Sequence, residues 1–357
     1  MNPAVVAKYF RRNPPLPLEP GTARYAVVIP AYDETAELPA TLATLRRAAG
    51  SEAVAVIAVV NHPPGADPAA SLELLEFLRT RREVHPLYLP DLPGGVGAAR
   101  KAGMDAFLAA MPPESLERSA VFSLDADTHV EPDYFAAALP AVLAGGAVTF
   151  RFRHRAAETP EQQSAIDRYE AYLRRYADKL RFAGSPYAFV AVGSAFAVRG
   201  DAYIRAGGMK ARAAGEDFYF LQAAAKTSGV RELPDVTVHP SPRVSRRVPF
   251  GTGPAVAALL AGQPLPEIPD AAFSALRTVL TGAKDAVLTD GEAFLAGMPE
   301  KSAEFFRREK FPAVWTRVRR NLPDRSGAAT RAFHEWFDGL KTLRFLHFYA
   351  DFSEKTT

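Results

Sequence analysis

Cysteine is absent from this chain of 357 residues. Its absence excludes disulfides and thiolate metal sites, and it fits a reducing compartment. Long apolar runs are missing too. The longest, around residues 53–60 and 187–198, are too short to cross a bilayer. In the opening MNPAVVAKYFRRNPP the apolar run ahead of the arginines is too short for a secretory signal. A cytoplasmic location is therefore expected. Charge of one sign is scarce: the net value is +3, too slight to imply nucleic-acid binding. Internal repeats and long low-complexity tracts do not occur. What is there is 48% hydrophobic and 23% charged, the composition of a folded globular chain. The length suits one large α/β domain with an accessory segment.

The first 22 residues are rich in proline (NPPLPLEPG) and are expected to run extended over the surface. YAVVI, residues 25–29, reads as a buried strand stopped by Pro30. AYDET follows, and then an amphipathic helix over 38–49. AVAVIAVV, from Ala53, is a second buried strand ending at Asn61-His62-Pro63-Pro64-Gly65. Residues 71–80 read as a helix with Leu72, Leu75 and Leu78 on its buried side. VHPLYL, from Val84, is a third strand, and DLPGGVGAARKAGMD turns into a helix reaching Ala110. Strands alternating with helices imply βαβ units and a largely parallel sheet. Residues 147–154 alternate as a half-exposed strand does, and 161–180 form a long helix. Residues 187–198 are a buried strand interrupted at Gly193-Ser194. The expected organisation is an extension over 1–22, an α/β domain over 23–253 and a mainly helical region over 254–357.

The candidate chemistry centres on AVFSLDADTHVEPDY, residues 120–134. A buried apolar strand ends there in Asp125, Ala126 and Asp127. Residues two apart in a strand share a side, so the two carboxylates converge if extended geometry persists. A hard divalent cation bridging a diphosphate would relieve their repulsion. The plainer alternative is a helix start capped by Asp127 or Thr128. Ligands of open α/β sheets bind at the carboxyl ends of strands, which favours the first reading. At GGVGAARK, the amides of Gly94 and Gly95, with Arg100 and Lys101, suit an anion. The alternative is a connection needing positive φ, with Arg100 solvated. The spacing is not G-x-G-x-x-G, which argues against a dinucleotide fingerprint. Asn61 either reads a base or, as is commoner before Pro-Pro-Gly, forms a turn. Glu216 and Asp217 are either an acidic first helical turn or the source of a general base. Adjacent helix positions point about 100° apart, so at most one of them faces a substrate. His239 with Arg243, Arg246 and Arg247 is either a solvated basic loop or a diphosphate site.

Taken in order, VVIPAYDE, GGVGAARKAGMD, SLDADTHVEPDYF and AGEDFYFLQ resemble the family 2 glycosyltransferases of the GT-A fold. The similarity covers residues 23–253, about two-thirds of the chain. It implies a Rossmann-like α/β fold, with a largely parallel sheet between helices, that binds a nucleoside-diphosphate sugar. Asp33 and Glu34 match the nucleotide-binding start, with Pro30 and Tyr32 beside them. Asp125, Ala126 and Asp127 match the motif for metal and diphosphate, and Mn²⁺ or Mg²⁺ is the implied cofactor. Asp217 matches the catalytic carboxylate and Glu216 its acidic neighbour. The segment from His239 through Arg243 and Arg246 matches the part that closes over the diphosphate, with His239 as a third metal ligand. The chain departs from the family at Asn61, where an acidic residue is expected. An amide matches part of the acceptor–donor–acceptor edge of uracil, so a UDP-sugar is the expected donor.

The implied reaction is an inverting sugar transfer to an acceptor hydroxyl, on a glycan or a lipid-linked molecule. One rival is a sugar-phosphate nucleotidyltransferase, which would carry a glycine-rich basic loop after the first strand; AYDETAEL lacks it. The other is a sugar-nucleotide-binding protein without catalysis. The stretches EFFRREKFPAVWTRVRR and EWFDGLKTLRFLHFYADF cover the acceptor side, touch the inner face of a membrane peripherally, or merely pack as amphipathic helices. The last reading is the simplest.

Overall fold

The structure is a computed structural model that describes residues 1–244, 251–286, 290–323 and 327–354. By its contacts the chain divides into two compact units. One comprises residues 1–170 and 189–263, the other 171–188 and 264–357.

The first unit is built on one eight-stranded sheet. In chain order the strands are β1 (Tyr25–Ala31), β2 (Val54–Asn61), β3 (Val84–Leu89), β4 (Ala120–Ser123), β5 (His129–Val130), β6 (Ala147–Phe152), β7 (Phe196–Arg199) and β8 (Val230–His239). Their order across the sheet is β3-β2-β1-β4-β7-β6-β8-β5. The half made of β3, β2, β1 and β4 is parallel throughout. Beyond it the sheet is mixed: β7 runs antiparallel to both β4 and β6, β8 runs parallel to β6, and β5 runs antiparallel to β8. The fold is thus α/β, with its parallel half formed by the βαβ units visible in the sequence.

The apolar runs of β1, β2 and β4 are buried because helices cover both faces of the sheet. Strand β1 continues through Pro30 instead of stopping there. Leu124 donates its amide to the Val28 carbonyl, so the even-numbered residues of β1 present their backbone groups to β4. Pairing with β4 ends at Val28, and the missing N–H of Pro30 points where no rung remains to be lost. Strand β6 is buried except at Arg151, not half-exposed, because it lies inside the sheet. From Tyr187 to Ala195 the chain is irregular, and only β7 forms from that apolar stretch.

Helices α1 (Pro3–Arg12), α2 (Leu38–Ala49), α3 (Ala69–Arg79), α4 (Gly95–Ala109), α5 (Tyr134–Leu143), α6 (Pro160–Phe182), α7 (Gly200–Arg205), α8 (Glu216–Thr227) and α9 (Thr252–Leu260) connect and flank the strands. Helix α1 replaces part of the expected extended segment. Asn2 caps it by accepting from the Ala4 amide at 2.9 Å, and Pro3 stands where a proline costs a helix nothing. The remaining prolines follow the helix. Tyr9 anchors it from below: its hydroxyl donates to Asp105 at 2.8 Å, as does that of Tyr203, and Lys101 bonds the same carboxylate at 2.5 Å. In α3 the buried positions are Ser71, Leu74, Leu75 and Leu78. Leu72 lies off that stripe and is 48% exposed, contrary to the expectation that it is buried.

The second unit is helical in its described residues. It contains the end of α6 and α10 (Asp270–Ala286), α11 (Gly291–Ala296), α12 (Glu300–Arg308), α13 (Phe311–Arg320), α14 (Ala328–Trp336) and α15 (Gly339–Glu354). Its core is aromatic, with Phe306, Phe311, Trp315, Phe333, Phe337 and Phe345 buried against one another. None of the described helices is long and apolar enough to cross a membrane.

Candidate active site

The glycines of GGVGAARK come first, because they set how α4 begins. Gly94 and Gly95 both hold positive φ, +86° and +57°. A Cβ on Gly97 would lie 2.5 Å from the Arg212 carbonyl oxygen, 2.7 Å from that of Lys210 and 2.8 Å from Cβ of Glu216. The Gly97 amide donates to the Arg212 carbonyl at 3.1 Å. This glycine therefore lets the first turn of α4 meet the segment leading into α8.

One turn further on, Arg100 is buried with 2% of its surface exposed. Its Nε donates to Glu216 at 3.1 Å, Nη1 to the Ser123 hydroxyl at 2.8 Å and Nη2 to Asp125 at 2.5 Å. Ser123 donates its own hydroxyl to the Gly193 carbonyl at 2.6 Å. The guanidinium thus joins α4, the end of β4 and the start of α8 at one point. It is neither solvated nor set at the helix start.

Strand geometry ends at Ser123, and the Thr128 amide closes a turn on the Asp125 carbonyl at 3.2 Å. Asp125 and Asp127 therefore do not converge as strand neighbours, and each meets a different arginine. Asp127 accepts from Nε of Arg243 at 2.8 Å, and the same arginine pairs with Glu34 beyond the end of β1. Arg155 bonds Glu37 at 2.7 Å and the Asp127 carbonyl at 3.3 Å. Neither Asp127 nor Thr128 caps α5, whose N-cap position is Asp133.

Among the described residues these contacts gather five carboxylates (Glu34, Glu37, Asp125, Asp127 and Glu216) around three guanidiniums, those of Arg100, Arg155 and Arg243, and Asp217 feels the charge of Arg100 beside them. Two of these carboxyls stand above the usual carboxylate range. Burial, with Asp125 next in effect and Glu34 and Glu37 behind it, pushes the Asp127 carboxyl up to about 6 against the pull of Arg243. Burial, and then the charge of Glu216, pushes Asp217 up to about 6, while the Phe218 amide and Arg100 pull it down. That amide donates to Asp217 Oδ1 at 2.7 Å.

Asp125 and Asp127 offer the hard oxygen donors that Mg²⁺ and Mn²⁺ prefer. Among the described residues, however, no three His, Asp or Glu side chains are grouped to hold a metal ion. His239 does not complete the set. As the last residue of β8 it pairs with His129 of β5. Its Nε2 lies 2.6 Å from Glu131 and its Nδ1 3.1 Å from the Arg153 carbonyl, so acceptors occupy both ring nitrogens. Two carboxylates with oxygens from a bound diphosphate suit the ion; the triad with His239 is not assembled.

The other expected site residues occupy the strand ends. Pro30 is within β1, and Tyr32 and the exposed Asp33, at φ +53°, follow it. Asn61 is the last residue of β2 and 7% exposed, and its carbonyl accepts from Ser71 at 3.3 Å. Ala126 is buried, with its carbonyl bonded by Thr41 at 2.8 Å. Arg246 and Arg247 lie outside the described residues. Sequence reasoning missed Ser123, Gly193, Glu37 and Arg155. Ser123 was within reach of the same-side rule, being two residues before Asp125 in a strand. Arg155 and Glu37 are 118 positions apart, and no local pattern announces them.

No family model matches the chain, and no curated protein matches it. Among solved structures it is similar to S. aureus TarS 1–349 in complex with UDP-GlcNAc, at 13% identity, covering 85% of this chain and 93% of that one, with a TM-score of 0.45. It is also similar to the mannosyltransferase PcManGT from Pyrobaculum calidifontis in complex with GDP-Man and Mn²⁺. There the identity is 15%, the coverage 93% and 94%, and the TM-score 0.43.

Proposed function

We propose that the protein is a glycosyltransferase that moves a sugar from a nucleoside diphosphate to an acceptor hydroxyl with inversion, as the family 2 resemblance implies. The observation that carries this is Asp217. It is a half-buried carboxylate at the start of α8, joined through the Glu216–Arg100–Asp125 chain to the carboxyl end of β4. A carboxyl pushed up to about 6 is still mostly ionised at neutral pH, yet basic enough to take a proton. The Phe218 amide fixes Oδ1, and Oδ2 is the atom assigned to the acceptor proton. As that proton moves to Asp217, the acceptor oxygen attacks the anomeric carbon. The bond from that carbon to the diphosphate breaks, and the nucleoside diphosphate leaves with the bonding pair. Asp125 and Asp127 are the residues that would hold Mn²⁺ or Mg²⁺, which neutralises charge on the leaving diphosphate when bound. Asp33, Glu34 and Asn61, after β1 and at the end of β2, are assigned to the nucleoside, with UDP as the preferred nucleotide. Arg243 adds a cation beside Asp127.

The test is a panel of nucleoside-diphosphate sugars with Mn²⁺, scored for nucleoside diphosphate release with and without a cell extract as the source of acceptor. Acceptor-dependent release from one donor is expected. Tight nucleotide binding with no release from any donor would make the protein a binding module. A product that keeps the donor's anomeric configuration would overturn inversion.

A further inference from the structure

We propose that Arg100 is a positioning residue: one guanidinium is divided between the diphosphate side and the base side of the site, so the charge state of one side sets the geometry of the other. This rests on the function proposed above. The guanidinium is a flat fork with its N–H groups in fixed directions. Here Nε is spent on Glu216, Nη2 on Asp125 and Nη1 on Ser123, so all three nitrogens are engaged. Arg100 and Glu216 are both buried, Asp125 is open to solvent on its far side, and the two carboxylates share this one buried cation.

The surrounding chain keeps this place for a planar group. A Cβ on Gly193 would come within 2.5 Å of Nη2 and 3.0 Å of Cζ, so any larger residue at 193 pushes the fork off its partners. Gly97 leaves the corresponding room beside Glu216, where a Cβ would approach that residue's own Cβ to 2.8 Å. Gly193 also holds the Ser123 hydroxyl through its carbonyl, which points the lone pairs of that oxygen at Nη1. Both glycines and the serine thus serve the orientation of Arg100. Lysine, a point charge on a flexible stem, cannot span Glu216 and Asp125 together. Removing the charge of Glu216 frees the guanidinium to lean on Asp125 and takes that carboxylate away from a metal-bound diphosphate.

The experiment is a binding cycle read by calorimetry, with UDP and GDP as probes, each with and without Mn²⁺. It compares the wild type, Glu216→Gln, Arg100→Lys, the double variant and Gly193→Ala, each checked for folding by circular dichroism. Glu216→Gln is expected to weaken Mn²⁺-supported nucleotide binding roughly 3- to 10-fold, although the proposed function puts Glu216 on the base side. In the Arg100→Lys background the same change is expected to have no further effect. Gly193→Ala, which keeps every charge, is expected to reproduce the loss seen in Arg100→Lys. Binding within twofold of wild type in Glu216→Gln overturns the proposal, and this arm decides even if the Arg100 and Gly193 variants do not fold. A weakening that persists unchanged in the double variant also overturns it. Wild-type protein that binds neither nucleotide with Mn²⁺ refutes the proposed function itself, and the coupling falls with it.

Discussion

Replacing Asp217 with asparagine should make the protein more stable and less active at once. The carboxyl stands near 6 instead of its usual 3.8, so the ionised form is less at home in the folded site than in the unfolded chain. A rise of that size corresponds to a cost on the order of 2–3 kcal/mol whenever the group is charged. The sign follows from where the proton sits. Above about pH 6 the folded protein carries the full cost; as pH falls through 6 the folded state takes up the proton first, and below about 4 the cost is gone. The asparagine side chain would keep an oxygen for the Phe218 amide, so the geometry need not change. For a unit of this size each kcal/mol is worth about 2–4 °C, so thermal denaturation at pH 8 should show Tm raised by roughly 4–12 °C. The gain should shrink at pH 5 and vanish near pH 4. With donor and acceptor identified, turnover should fall by about 10²–10⁴-fold, and wild-type turnover should lose about tenfold per pH unit below 6. A lower Tm at pH 8, or a gain equally large at pH 4, would refute the assignment of burial as the cause. Near-normal transfer by the folded variant would remove Asp217 as the base.

Asp127→Asn should abolish the tightening of nucleotide binding by Mn²⁺ in calorimetry, while metal-free binding changes little; an undiminished Mn²⁺ effect would take the ion away from Asp127. UDP should bind more tightly than GDP, and Asn61→Ala should erase the difference; GDP preferred, or a preference untouched by Asn61→Ala, would show that Asn61 does not read the base. Tyr9→Phe deletes one of the two hydroxyls on the buried Asp105 and should cost about 1.5–3 kcal/mol in urea unfolding, whereas no change would mean that α1 is held by its apolar contacts alone.

Period and punctuation bring the parallel half of the sheet into view, because both are local. β1, β2 and β3 are legible as apolar runs with turn residues at their ends, and α2 and α4 by their spacing. The failures have physical causes of two kinds. One is a local rule applied too broadly. Proline content suggests an extended start, yet Pro3 falls where a helix accepts it and the other prolines come after α1. Likewise the same-side rule for Asp125 and Asp127 needs a strand, and the chain turns after Ser123. The second kind is distance. From sequence Arg100 reads as a solvated or phosphate-binding residue, because nothing near it is acidic before Asp105. Its partners are 25 and 116 positions away.

The same distance explains why the carboxylates alone give a misleading picture of the site. In sequence, Asp125 and Asp127 are two negative charges in need of a metal. In the fold each already has an arginine, drawn from α4 in one case and from beyond β8 in the other, 209 positions from its second partner Glu34. The reason to expect a cation is therefore not that the pair is bare. Among the described residues three guanidiniums stand against six carboxylates in this cluster. Two of those groups, Asp127 and Asp217, stand near 6, first because of burial and then because of neighbouring carboxylates. A bound divalent ion should thus lower the Asp127 carboxyl, and uptake of Mn²⁺ at about pH 5.5 should release protons. Calorimetry in buffers of different ionisation enthalpy measures that release directly. Binding of the ion with no proton release at that pH would mean that Asp127 is not among its ligands.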